Sequence, residues 1–163
     1  MPDARQTFNA LVSELDYPMF VVTANAGGER GGCLVGFATQ CSIDPPRFLV
    51  CMSKRNRTYR VAQDADLLAV HFLPADAEDL AELFGGETGD QVDKFARCSW
   101  SEGPGGVPLL DRCLNRFVGK VLQRTDAGDH VAFVLEPVAA EKGYPGDQFP
   151  FHRAKRIEPG HEA

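Results

Sequence analysis

The chain has 163 residues, 44% of them apolar and 25% charged, with a formal net charge of −6. Those proportions fit one globular domain over residues 1–163 and exclude wholesale disorder, collagen and coiled coil. The acidic balance argues against a nucleic-acid binder, and the longest apolar run, Leu67–Leu73, is far short of the ~20 residues of a membrane span.

The opening MPDARQTF has an early acid and no apolar core, so no secretory leader is read there and a cytoplasmic location is expected. Charge is uneven along the chain. Residues 1–60 carry a net +2 and the remainder −8, and four of the seven early cations fall within Lys54–Arg60. Such a concentration in an acidic protein points to a small anion as ligand. The five cysteines (33, 41, 51, 98 and 113) include no CxxC pair, which removes support for zinc ribbons and thioredoxin-type sites. Cys41 and Cys51 lie in apolar segments and are expected to be buried, inert thiols.

In chain order, Phe8, Leu11, Val12 and Leu15 repeat as one face of an amphipathic helix, with Asp3 as its cap and Pro18 beyond it. Met19–Ala24 reads as a strand, followed by a turn over Gly27–Gly32 and a second strand over Cys33–Ser42, together a hairpin. Asp44-Pro45-Pro46 forces a turn. Arg47–Met52 is a buried strand, and Thr58–Ala65 a short helix capped by Thr58 or Asn56. Leu67–Leu73 is another buried strand. A helix is predicted over Asp76–Phe84, with Asp76 as cap, Leu80, Leu83 and Phe84 as apolar face, and Gly85-Gly86 as stop. Ser101–Pro108 reads as loop. Arg116–Arg124 and His130–Ala139 are strands joined by the turn Asp126–Asp129. From Gly143 the chain is rich in Pro, Gly and charge, and partial disorder is expected.

Six or seven strands, three short helices and hairpin-length connections do not alternate as a doubly wound sheet would. The fold class expected is mainly β (α+β), a small antiparallel barrel with short helices at its ends.

The sharpest chemical feature is Ser53-Lys54-Arg55-Asn56-Arg57-Thr58, between a buried strand and a helix start. Hydroxyls, an amide and cations together suit a phosphate; the alternative is a solvated basic loop that only caps the helix. It is not a P-loop. Gly103-Pro104-Gly105-Gly106 reads as a surface loop rather than a dinucleotide turn. His71, inside an apolar strand, reads as a satisfied core residue, whereas His130 stands at a turn-to-strand position where an imidazole can face a barrel mouth. No histidine pattern resembles a metal site and no nucleophile motif occurs. Chemistry would then come from an organic cofactor.

Several segments together resemble the flavin reductase-like family. They are Tyr17–Thr23 (YPMFVVT), the Gly-rich turn, Val35–Pro46 (VGFATQCSIDPP), Ser53–Tyr59 (SKRNRTY), Leu68–Leu73, the helix ending at Phe84-Gly85-Gly86, Asp93-Lys94-Phe95 and Gly128-Asp129-His130. Their order matches, over roughly residues 8–140, leaving 141–163 as a tail.

The resemblance implies an FMN-binding split barrel, usually a homodimer with flavin near the subunit interface. It implies hydride transfer from NADH or NADPH to FMN, with FAD or another flavin as an alternative, and in some members supply of reduced flavin to a partner monooxygenase. By resemblance Val35, Gly36, Phe37, Ala38 and Thr39 would line the flavin ring and Ser42 would sit near the ribityl chain. Ser53, Lys54, Arg55, Asn56 and Thr58 would hold the phosphate. His130 would stand beside flavin or nicotinamide as the catalytic residue, and Phe95 would flank the site. The chain departs from its relatives where Leu34, Val35, Gly36 and Phe37 replace Ser or Thr, so backbone groups must contact the ring. The segment Phe149–Arg156 only loosely echoes the family's closing Tyr-His-Arg-Gly. Other readings are an FMN protein of the same fold with another acceptor, a non-catalytic flavin carrier, and a related barrel holding deazaflavin or haem.

Overall fold

The computed structural model describes residues 3–158. Helix α1 (Ala4–Ser13) is capped by Asp3. Strands β1 (Phe20–Ala26) and β2 (Glu29–Val35) follow, then β3 (Ala38–Ser42) and β4 (Arg47–Ser53). Helix α2 (Arg57–Ala62) starts at the Asn56 cap, β5 spans Leu67–Phe72 and helix α3 spans Glu78–Gly86. A small hairpin, β6 (Trp100–Glu102) with β7 (Pro108–Leu110), precedes the long strands β8 (Arg116–Asp126) and β9 (His130–Glu141) and the short helix α4 (Phe151–Ala154).

The main sheet has seven strands in the order β2-β1-β5-β8-β9-β4-β3. Every pairing is antiparallel. β2 and β3 are its two edges, so the hydrogen-bonded sheet is open.

The hairpin turn is tighter than the sequence predicts. Gly27 and Gly28 alone form it, with φ of 60° and 89°, values an L side chain rarely adopts but two-residue hairpins demand. β2 therefore begins at Glu29. The predicted strand Cys33–Ser42 is two strands, interrupted at Gly36-Phe37. A Cβ on Gly36 would stand 2.6 Å from Tyr17 Cε2 and 3.1 Å from Met19 Sδ. Only glycine lets the chain turn against those side chains.

Period-2 alternation puts β1 between two cores. Phe20, Val22 and Ala24 face one cluster, with Val50, Met52, Leu68, Val70, Phe133, Leu135 and the α2 residues Val61 and Ala62. Met19 and Val21 face a second, with Leu73, Leu80, Phe84, Phe95, Leu110 and Phe149. Burying one such side chain contributes roughly 1.5–3 kcal/mol. Both faces of β1 are thus occupied, which explains its uninterrupted apolar sequence.

Helix α3 corrects the predicted cap and stop. Asp76 does not cap it; the carbonyl of Ala77 accepts from Leu80 and Ala81, and Glu78 and Asp79 supply first-turn negative charge. The helix continues through Gly85-Gly86. The Ser101–Pro108 loop is largely the β6–β7 hairpin, tethered to β1 by Thr23 Oγ1 donating to the Pro108 carbonyl (2.6 Å) and Asn25 to that of Gly106 (2.9 Å).

The segment beyond Gly143 is ordered through residue 158, against expectation. Phe149 is fully buried. Its N–H donates to Leu73 O, its carbonyl accepts from Met19, and Phe151 N–H donates to Tyr17 O, each at 2.8 Å. Backbone bonding and one buried aromatic outweigh the polar composition. Residues 159–163 of the predicted tail lie outside the described residues. Cys41 is exposed and Cys51 half-buried, contrary to the buried thiols expected, because β3 is an edge strand and Cys51 borders a cleft.

His71 is wholly buried. Its Nδ1 lies 2.9 Å from Val21 O, and its Nε2 accepts from Leu110 N–H at 3.0 Å. A carbonyl cannot donate, so the proton sits on Nδ1 and the ring is neutral. Burial pushes its pKa down to about 4, with the Val21 bond opposing and Arg116 assisting. Below about pH 6.5 the unfolded imidazole takes a proton that the folded one refuses until about pH 4, so stability falls as pH drops through that window. The expected loss is up to about 3 kcal/mol. His71→Gln, which cannot titrate, should show a flatter decline in urea midpoint between pH 6.5 and 5; equal slopes would refute the account. Gly36→Ala should cost about 1–3 kcal/mol by overpacking the Tyr17 wall, read as a lowered urea midpoint at neutral pH.

Candidate functional site

A cleft of about 310 Å³ opens where β2 and β4 end. One wall is Val35, Gly36 and Phe37; another is Cys51, Met52 and Ser53, with Asn56 below. The third is an aromatic pair, Tyr17 and Phe151, stacked with centroids 4.5 Å apart and planes at 13°. His130 stands at the rim.

The β4–β9 register sets this arrangement by pairing Ser53 with His130. Lys54 extends the ladder, its N–H donating to Asp129 O at 2.9 Å. Its ammonium pairs with Asp126 at 2.7 Å, and that hydrogen bond holds the Asp126 carboxyl below the usual range. The turn between β8 and β9 closes through Gly128, at φ 129°, whose N–H donates to Asp126 Oδ1. Asp129 Oδ1 lies 2.7 Å from His130 Nδ1. A carboxylate only accepts, so Nδ1 carries the proton and Nε2 is left for other partners. The same bond lowers the Asp129 pKa. The ring of Phe37, itself 56% exposed, packs on His130 at 5.2 Å.

The Ser53–Thr58 loop is internally organised. Ser53 Oγ accepts from Arg55 N–H at 3.2 Å, and Asn56 Oδ1 caps α2 through Thr58 N–H at 2.9 Å. Of the two caps left open by the sequence, Asn56 is the one used. Burial pushes the Cys33 thiol's pKa up, against the opposing influence of Lys94, Thr58 and Asn56 beside it.

Of the residues singled out in the sequence, Val35, Gly36, Phe37, Ser53, Asn56 and His130 line this one cleft. Ala38, Thr39 and Ser42 run along edge strand β3, outside its lining, with Thr39 exposed. Lys54 and Arg55 follow Ser53 but lie outside the lining, and the Lys54 ammonium is turned to Asp126. Thr58 and Phe95 line a neighbouring cleft of about 410 Å³. Phe95 is held edge-on between Phe84 (5.8 Å) and Trp100 (5.6 Å). In the Asp-Lys-Phe motif, Asp93 caps the turn that places Phe95, and Lys94 is buried with Nζ donating to Gly32 O and Phe84 O.

The sequence assigned no role to Tyr17, Phe151, Arg30 or Lys94, and it counted Arg57 only among the cations of the phosphate loop, whereas Arg57 lines the neighbouring cleft. Tyr17 and Phe151 are 134 positions apart and meet only through tertiary pairing. Among the described residues, no cluster of three or more His, Cys, Asp or Glu could hold a metal.

Known proteins give this geometry a frame. Similarity covers 87% of the chain and 64% of the high molecular weight rubredoxin of Moorella thermoacetica, at 29% identity; the chain thus spans under two thirds of that protein. It covers 79% of the chain and 77% of the FMN reductase (NADH) RutF of Enterobacter cloacae, at 29%. It covers 81% of the chain and 78% of the 4-hydroxyphenylacetate 3-monooxygenase reductase component of Pseudomonas aeruginosa, at 27%. Among solved structures, the FMN-binding protein of Thermus thermophilus with bound 1-cyclohex-2-enone superposes with a TM-score of 0.74 at 27% identity, over 79% of this chain and 72% of that one. A flavin reductase domain protein from Arthrobacter shares the fold at a TM-score of 0.83 and 22% identity, over 98% and 96% of the two chains. The flavin reductase like domain matches residues 12–153, nearly the whole chain, and the protein belongs to that family.

Proposed function

We propose that this chain is a single-domain, NAD(P)H-dependent flavin oxidoreductase that binds FMN in the 310 Å³ cleft. The observation that carries the reading is the convergence there of the β2 end, the Ser53–Asn56 loop and His130. The donor set suits the ligand. Flat apolar walls from Val35, Met52 and the Tyr17–Phe151 stack take a planar ring, Ser53 and Asn56 give the cleft a polar end, and Lys54 and Arg55, between them in the chain though outside the lining, would bring positive charge to a phosphate there. The open sheet, with β2 and β3 at its edges, agrees with a barrel of the split type.

A bound flavin supplies a two-electron acceptor for hydride. The chain's own work is positioning. Phe37 and His130 at the rim set where a nicotinamide can lie, and a reacting distance of ~3–3.5 Å makes that placement the main catalytic contribution. The aromatic wall excludes water. Asp129 fixes the His130 tautomer, so Nε2 can orient the donor or hold a proton. Backbone N–H groups near Gly36 and Phe37 take the place of the hydroxyls that relatives use.

Two further elements belong to this reading. Helix α1 buries none of its residues and exposes Phe8 (61%) and Leu11 (62%), with Leu15 (55%) exposed just past its end; a second copy of the chain covering that face fits a homodimer. Similarity to a monooxygenase reductase component favours delivery of reduced flavin to such a partner. Among the described residues no helix is long and apolar enough to cross a membrane, and we place the protein in the cytoplasm. A second reading, an FMN protein that reduces a small electrophile, is favoured by the similarity to the Thermus protein with bound cyclohexenone. Tight flavin reoxidised by an enone would select it.

Neutralising Lys54 and Arg55 together (Lys54→Gln, Arg55→Gln) should weaken FMN by at least about tenfold and leave riboflavin nearly unchanged in fluorescence titrations. Equal losses would refute the phosphate assignment. His130→Ala should slow anaerobic flavin bleaching by NADH roughly 10²-fold in stopped flow; an unchanged rate would remove its catalytic role.

A further inference from the structure

We propose that the second cleft binds an adenylate group, the 5′-phosphoadenosine half shared by FAD, NADH and NADPH. This rests on the flavin reading of the first cleft. At about 410 Å³ the second cleft lies within the usual small-molecule range of roughly 300–1,000 Å³. It is built from the β1–β2 hairpin, the start of α2 and the segment leading to Phe95.

The two clefts are neighbours across single residues. Asn56 lines the first and Arg57 and Thr58 the second; Cys33 lines the first and Gly31 and Gly32 the second. A ligand with its ring in the first cleft and a phosphate at Ser53–Asn56 therefore finds the second cleft beside that phosphate.

Its formal charges cancel, three against three, so the fit to an anion rests on which of them are already paired. Three cations line it, Arg30, Arg57 and Lys94, together with Glu29, Asp90 and Asp93. The acids are partly committed. Asp90 is held by Arg60 at 2.6 and 2.7 Å and reaches Arg57 only at 3.9 Å. Asp93 accepts from Phe95 N–H. Lys94 is 5% exposed, and its contacts to Gly32 O (3.0 Å) and Phe84 O (3.1 Å) use two of its three hydrogens. Arg30 lies over the Trp100 ring at 4.7 Å and pairs with no carboxylate among the described residues. Arg57 donates to Arg30 O, which fixes the two guanidiniums' parent segments together. Arg30 and Lys94 then meet a phosphate, and Gln91 and the hairpin backbone offer neutral polar groups to ribose and base.

The test compares whole and half ligands on the full chain. Arg30→Gln with Arg57→Gln should weaken FAD by at least about tenfold while sparing FMN, or raise KM for NADH by as much while sparing reduced nicotinamide mononucleotide. The first result assigns the adenylate to the flavin, the second to the hydride donor; either supports the site. No change, or equal change for mononucleotides and dinucleotides, overturns it. Should the variant misfold, competition of 5′-AMP against FAD and NADH on the wild-type protein decides: displacement of either supports the site, and displacement of neither at millimolar AMP overturns it. A wild-type chain that binds no FMN brings down the flavin reading itself. FMN binding, with both dinucleotides held no tighter than their mononucleotides, brings down the adenylate site alone.

Discussion

One strand pairing carries the site. β4 and β9 are distant in sequence, yet their register sets Ser53 opposite His130. The next backbone bond, Lys54 N–H to Asp129 O, ties the polar loop of one strand to the turn of the other. A slip of one residue would send Ser53 and His130 to the wrong faces. Val131, Phe133 and Leu135 oppose that slip, because each fills the core from β9 and none tolerates solvent. Core packing thus fixes the placement of two polar side chains that contribute little to it.

The same economy appears around β1. Its two faces feed two cores, so the strand is held from both sides and β2 inherits its position through seven register pairs. The end of β2 then reaches the cleft with no freedom except at Gly36. Charged groups are arranged by similar means: Lys94 sits under β2 on two carbonyls, and Asp90 is shared by two arginines. Positive charge collects on both sides of the α2 start in a chain that is acidic overall.

Much of this was legible in the sequence because it is local. The strand segments from Phe20 to Leu135 declare themselves by apolar runs and turn residues, and the basic loop after β4 is conspicuous in an acidic chain. The break at Gly36 was not legible, since its cause is Tyr17 pressing from another segment. Nor was the α3 start, where a backbone carbonyl substitutes for the side-chain cap that Asp76 advertised. The β6–β7 hairpin hid because its glycines and prolines read as loop, whereas bonds from Thr23 and Asn25 give it a fixed partner. The order beyond Gly143 was hidden for the same reason: one buried phenylalanine and three backbone bonds outweigh a polar composition. The cleft's aromatic wall and the second cleft likewise depend on contacts between remote segments, which no local pattern encodes.

The stacking of Tyr17 on Phe151 makes the cleft depend on the end of the chain. Every strand of the main sheet precedes residue 151 in the chain, yet one wall of the cleft comes from α4, the last helix. The hollow is whole only when the closing segment docks: Phe149 seats in the second core and carries Phe151 onto Tyr17. Whatever loosens the end of the chain therefore opens the cleft as well.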